Sequence, residues 1–238
     1  EMKHGDIVVA FVPDEEIGLC GAKALNLARF SVDFAWTIDC CELGEVVYEN
    51  FNAAHAEIRF TGVTAHPMSA KGVLVNPLLM AHDFISHFDR QQTPENTEGR
   101  EGYIWFNGMN TTQNDAILKA NIRDFDTLSF EARKQQLRDV AQIISAQHPT
   151  AKVDISISDT YSNISNAIKD DRRAIDLIFE AMKALDIEPK VIPMRGGTDG
   201  AALSAKGLLT PNFFTGAHNF HSKFEFLPLR AFEASYNV

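Results

Sequence analysis

The first definite pattern along the chain is residues 6–12, where Ile7 to Val12 run without a polar break. An unbroken apolar run of this kind predicts a strand buried on both faces. An acidic turn at 13–18 (PDEEIG) follows, leading into a helix over about 20–28. Residues 33–39 predict a second buried strand, ending on the carboxylate of Asp39. From 45 to about 60 apolar positions alternate with polar ones, as in half-buried strands, and Val47, Phe51, Ile58 and Phe60 stand out.

Beyond residue 53 the periods alternate in a compact order. A strand at 54–62 precedes a helix at about 76–88, and two strands follow at about 102–107 and 116–124. A long amphipathic helix at about 129–147 carries Phe130, Leu137, Val140, Ile143 and Ile144 on one stripe, and a strand at 152–158 closes the set. That order, β-α-β-β-α-β, is the ferredoxin-like split unit, with the Pro-, Thr- and Glu-bearing stretch 91–100 as its solvated loop. After about residue 161 a helix (171–185), a strand (190–194), a Gly-rich turn (195–200) and an apolar segment (208–214) lead to His221. The ferredoxin-like unit at 53–160 therefore reads as an insertion between two pieces of an α/β domain, 1–52 and 161–238. The opening strand has no capping structure before it and too few neighbours nearby to cover both edges, which suggests that chain is missing upstream.

Composition narrows the function. The 238 residues suffice for a sizeable core, and 45% hydrophobic with 23% charged residues describes an ordinary globular protein. A net charge of −10 argues against a nucleic-acid partner, since phosphate binding requires a basic surface. No apolar run is long enough to span a bilayer, so no membrane partner is expected. Cys20, Cys40 and Cys41 do not form a disulfide framework; adjacent cysteines rarely meet bridge geometry, and reduced thiols in a cytoplasmic setting are the natural expectation.

Candidate chemistry gathers at predicted strand ends. Glu15 and Glu16 follow a buried strand, where α/β sheets place their ligands. Adjacent carboxylates there can divide labour, one coordinating a metal and the other handling protons; they could equally be a helix N-terminus favoured by the macrodipole. Asp39 ends another strand, and His221 lies in an aromatic, Asn-containing stretch. Glu, Asp and His together are the ligand types of hydrolytic zinc sites.

The motifs PDEEIG, TID (37–39), ENFNAA (49–54), HP (66–67) and AKGV (70–73) occur in one order along the chain. IRDFD (122–126), EARK (131–134), IEP (187–189), RGGTDGA (195–201) and NFHSKFEF (219–226) continue it. Over nearly the whole length this resembles the peptidase T family, within the dizinc peptidases and aminoacylases that carry a lid domain inserted in a catalytic domain. The resemblance implies an α/β catalytic domain, incomplete here, with the ferredoxin-like unit as an α+β lid. It also implies an aminopeptidase that releases the N-terminal residue of tripeptides, with two zinc ions and a short peptide as substrate. Two copies would associate through the lid. By motif, Glu15 resembles the general base, Glu16 and His221 ligands of one zinc, and Asp39 a ligand of the other. His66 resembles the lid histidine that stabilises the oxyanion; on the residues alone it is a turn residue before Pro67. Arg123 resembles the lid arginine that grips the substrate's C-terminal carboxylate once the two domains close, with Arg195 assisting. An ion pair with Asp124 or Asp126 is the plainer role for Arg123.

The family's remaining ligands, a His-x-Asp pair and a bridging Asp, have no counterpart here. His87-Phe88-Asp89 is a poor substitute, because i and i+2 diverge at a helix end. The chain by itself is therefore expected to be inactive. Cys40-Cys41-Glu42 and Phe224 depart from the family's pattern: thiolates suit zinc, although two small buried residues beside a strand end are the blander reading. Alternatives are a catalytically dead piece acting through lid-mediated association, and a related dizinc deacylase or dipeptidase.

Overall fold

A computed structural model describes residues 4–39, 41–168 and 170–238. Its helices are α1 (Cys20–Ala24), α2 (Pro77–Ser86), α3 (Thr127–Gln147), α4 (Arg173–Ala184), α5 (Asp199–Ala205) and α6 (Leu229–Asn237). The first four strands are β1 (Thr37–Ile38), β2 (Glu45–Val47), β3 (Asn52–Thr61) and β4 (Tyr103–Thr111). The others are β5 (Asp115–Asp124), β6 (Lys152–Tyr161), β7 (Lys190–Val191) and β8 (Asn212–Phe213). Two compact units divide the chain: Glu1–Asn50 with Tyr161–Val238, and Phe51–Thr160.

The second unit has the β-α-β-β-α-β order, in a sheet ordered β4-β5-β3-β6 with β3/β5 and β4/β5 antiparallel. Alternation sets its faces. Ala54, Ala56, Ile58 and Phe60 of β3 and Ala116, Leu118, Ala120 and Ile122 of β5 point to one side. Met80, Ala81 and Phe84 of α2 cover that side, together with Phe130, Leu137 and Ile144 of α3, so both helices lie on the same face. Burial of each large side chain of this set, such as Phe60, Phe84, Leu118 or Ile122, stabilises by about 1.5–3 kcal/mol. Both helices start where their caps dictate: the Asn76 Oδ1 accepts from the Leu78 amide at 3.0 Å, and the Asp126 Oδ1 accepts from the Ser129 amide at 2.7 Å. β4 continues to Thr111, past its expected end near 107, through a register shift between Phe106 and Gly108.

The stripe on α3 differs in one member. Ile143 is 43% exposed, because it lies one residue, roughly 100°, from the line through Phe130, Leu137 and Ile144. Lys134 occupies that line and is buried. Its Nζ lies 2.7 Å from Glu131 and 2.9 Å from Asp159, and 4.8 Å over the Phe130 ring. A lysine tolerates this position because its stem is apolar and its head is paired.

In the first unit a short mixed sheet runs β1-β8-β2-β7, parallel at β1/β8 and β2/β7 and antiparallel at β2/β8. Its core is Val46, Val47, Phe213 and Phe214, with Ile178 and Met182 from α4. Here several sequence expectations fail. Residues 6–12 form no strand, and Ile7, Val9 and Phe11 are 72%, 69% and 95% exposed. Of the expected 33–39 strand only Thr37–Ile38 is strand, paired with β8, and the Ala35 amide donates to the Leu209 carbonyl at 3.2 Å ahead of it. A strand exists only where a neighbour takes its backbone groups, and apolar content does not supply one. The helix expected over 20–28 stops at Ala24, and a 3₁₀ turn Leu27–Arg29 follows. The Asn26 side chain accepts from the Ala28 amide at 3.0 Å and caps that turn. Among the described residues no helix is long and apolar enough to cross a membrane.

Candidate active site

Glu15 and Glu16 lie in a tight turn and not in a helix, since α1 begins only at Cys20. The Gly18 and Leu19 amides donate to the Glu15 carbonyl at 3.1 and 2.9 Å, and the Cys20 amide donates to the Asp14 carbonyl at 3.1 Å. Closing the turn requires positive φ at Asp14, Gly18 and Leu19. Gly21 is needed because a Cβ there would strike the Pro13 carbonyl.

From the far end of the sequence, residues 218–226 form a loop that presents His221. The Asn219 Nδ2 donates to the Phe224 carbonyl at 3.1 Å, and the His221 amide donates to the Glu225 Oε2 at 2.9 Å. His221 itself adopts φ +59°, a conformation that is uncommon outside glycine and is concentrated at functional sites. Its Nε2 lies 2.8 Å from the Glu16 Oε1. Residues 205 positions apart are thereby brought together.

Asp39 follows β1, held by a 3.1 Å bond from its amide to the Oδ1 of Asn212 on β8. Together with Glu15, Glu16 and Asp199 it lines a cleft of about 1020 Å³ whose other walls include Phe11, Trp36, Ile38, Leu177 and Phe213. The carboxylates raise one another's pKa. Burial, then the charges of Asp39, Glu16 and Asp199, push Glu15 from its ordinary 4.5 up to about 7, with His221 partly offsetting the rise. Asp39 is raised by burial and by Glu16, and Asp199 by burial and by Asp39.

Each raised carboxyl binds a proton more tightly folded than unfolded. In the metal-free chain the Glu15 contribution to stability is therefore fully present below pH 4.5 and is lost as pH rises through about 7, and Asp39 and Asp199 act in the same direction. Urea midpoints measured across that window should fall with rising pH, and Glu15→Gln should flatten the slope. An unchanged slope in the variant would mean that Glu15 titrates normally.

Glu16, His221 and Asp39 are donor types that suit zinc. Among the described residues no group of three or more His, Cys, Asp or Glu side chains converges closely enough to hold an ion by itself. Cys41 is buried against the core of its unit, its Sγ 3.8 Å from the Asn212 Nδ2, while Cys40 lies outside the described residues. Phe224 is exposed. His87 caps the C-terminal end of α2, and the Asp89 Oδ1 accepts from the Gln91 amide at 2.9 Å, local tasks for both.

His66 and Arg123 belong to the Phe51–Thr160 unit. His66 precedes a 3₁₀ turn and its Nδ1 accepts from the Met68 amide at 3.2 Å. The Arg123 Nη1 donates to the Ile122 and Ala54 carbonyls at 2.9 and 3.2 Å. Neither aspartate offered as its plainer partner is idle: Asp124 faces Arg133 at 2.8 Å, and Asp126 caps α3. Arg195, half-buried, opens the turn before α5. Asp199 is the site carboxylate that sequence reasoning missed; its signal was an acidic residue directly after a Gly-rich turn, at the first position of a helix.

Residues 48–152 match the family described as a peptidase dimerisation domain. A peptidase T-like protein of Yersinia pestis is 70% identical over 99% of this chain, and the peptidase T of Caldanaerobacter subterraneus is 41% identical over all of it. The chain spans 57% and 58% of the length of these two relatives. The crystal structure of an aminopeptidase PepT from Bacillus cereus shares the fold, with a TM-score of 0.79 at 19% identity over 94% of this chain and 60% of that one.

Proposed function

We propose, from the premise that this chain belongs to the peptidase T family, that the protein it represents releases the N-terminal residue of tripeptides by metal-dependent hydrolysis. The observation that carries this reading is the Glu16–His221 pair at 2.8 Å, beside a second carboxylate, Glu15, with a pKa of about 7. Glu16 and His221 would hold one zinc ion and Asp39 would contribute to a second. Zinc would supply Lewis acidity close to neutral pH.

Glu15 is left to move protons. It accepts one at its carboxylate as the attacking nucleophile forms, then delivers it to the departing amine. In the metal-free chain burial and the neighbouring carboxylates raise its pKa to about 7, so its environment favours holding a proton, as both tasks require. The resemblance assigns His66 the charge that develops on the carbonyl oxygen, and Arg123, helped by Arg195, the C-terminal carboxylate. Guanidinium suits that carboxylate because its fork binds two oxygens and never loses its charge. The match of residues 48–152 to a dimerisation domain supports association of two copies through the Phe51–Thr160 unit.

The test is made on the protein as encoded, loaded with zinc. Tripeptide free acids should be hydrolysed from the N-terminus. Arg123→Ala should weaken processing of the acid by about 2 kcal/mol or more in kcat/KM, and scarcely affect the tripeptide amide, which has no carboxylate to grip. Equal losses on acid and amide would assign Arg123 to support of its own sheet. No hydrolysis of either would end the aminopeptidase reading.

A further inference from the structure

Two side-chain oxygens among the described residues are buried without a hydrogen-bond partner, the Thr37 Oγ1 and the Asp199 Oδ1. Both residues line the same cleft. Asp124, a buried carboxylate of the other unit, is by contrast matched by Arg133. A partly buried anion without a counter-ion needs an explanation, and a bound cation is the simplest one.

Asp199 cannot escape by moving its backbone. The Thr198 Oγ1 accepts from the Gly200 amide at 3.2 Å and fixes the start of α5. Gly200 packs so closely on the Thr210 carbonyl that a Cβ would clash with it. The carboxylate is thus pinned at the cleft, within electrostatic reach of Glu15 and Asp39. Glu16 already faces His221.

We propose that Asp199 binds the free α-ammonium group of the peptide, and so makes the unblocked N-terminus the feature that the site recognises. This rests on the aminopeptidase reading above and gives it a specificity determinant. Every peptide with a free N-terminus presents that cation beside the first residue's side chain and the bond to be cut. An ammonium also places N–H donors against a carboxylate that the described residues leave without a partner.

The experiment uses the zinc-loaded protein as encoded, with Ala-Ala-Ala and its des-amino analogue propionyl-Ala-Ala, the latter followed by turnover or as a competitive inhibitor. Asp199→Asn should lower kcat/KM for the tripeptide roughly 30-fold or more, chiefly through KM, and leave the constant for the propionyl analogue unchanged. Asp199→Glu should recover part of the loss. Zinc content should equal that of the unmodified protein. Equal losses on both compounds, or none on either, would overturn the assignment, and loss of zinc would make Asp199 a metal ligand instead. An unmodified protein that cleaves peptides without preferring the free amine would overturn this inference alone. One that cleaves neither compound would remove the aminopeptidase reading and this assignment with it.

Discussion

Replacing Glu15 by Gln in the zinc-loaded protein as encoded is expected to cut tripeptide turnover by at least ~10²-fold while leaving zinc content nearly unchanged. The two neighbouring glutamates differ in what they face. Glu16 meets His221 at 2.8 Å in a direct carboxylate–imidazole contact, close enough for the two to share one ion in the proposed site. Glu15 has no such fixed imidazole; it sits among carboxylates that push its pKa to about 7. A glutamine keeps the shape of Glu15 but can neither accept the proton nor return it. Glu16→Gln should behave differently, losing metal first and activity as a consequence, because a neutral amide is a poor zinc ligand. Zinc content by elemental analysis, measured beside kcat, separates the two. If Glu15→Gln lost zinc and Glu16→Gln kept it, base and ligand would be exchanged.

The Phe51–Thr160 unit was legible because its information is local. Alternation places Ala54, Ile58 and Phe60 on one face whatever surrounds them, and the caps Asn76 and Asp126 start the two helices. The other unit was less legible for the opposite reason. Residues 6–12 have the composition of a central strand, yet no strand among the described residues pairs with them, and they stand exposed instead. The same holds for 33–39, of which only the two residues that meet β8 are strand.

Legibility of the site divides in a similar way. Glu15, Glu16 and Asp39 were visible as carboxylates near expected strand ends, although the strand before the glutamates does not form. The approach of His221 to Glu16 across 205 positions follows no local rule, and only the resemblance indicated it. Asp199 was hidden because an aspartate at the first turn of a helix has an ordinary explanation in the helix dipole. What distinguishes it is an oxygen left without a partner, which is a property of packing.

Removing Arg133 should destabilise the Phe51–Thr160 unit by about 3–5 kcal/mol, the usual cost of stranding one member of a buried ion pair. The Arg133 Nε donates to the Asp124 Oδ2 at 2.8 Å, and the two side chains are only 17% and 7% exposed. The rest of the Asp124 environment is already committed. Its Oδ1 accepts from the Asp126 amide at 3.1 Å, and a Cβ on Gly102 would collide with its Oδ2, so there is little room for water to replace the guanidinium. Arg133→Ala therefore leaves a carboxylate buried at the end of β5. The double variant Asp124→Asn, Arg133→Met should recover much of the loss, since no charge is then stranded. Urea unfolding followed through Trp105, in a Trp36→Phe background so that the one remaining tryptophan lies in this unit, measures both. A loss under ~1 kcal/mol for Arg133→Ala would mean that Asp124 finds water or another cation. The outcome also bears on Arg123, the neighbour of Asp124 on β5. Adjacent strand residues face opposite sides, so with Arg133 serving Asp124 on the core side, Arg123 is not needed to neutralise it.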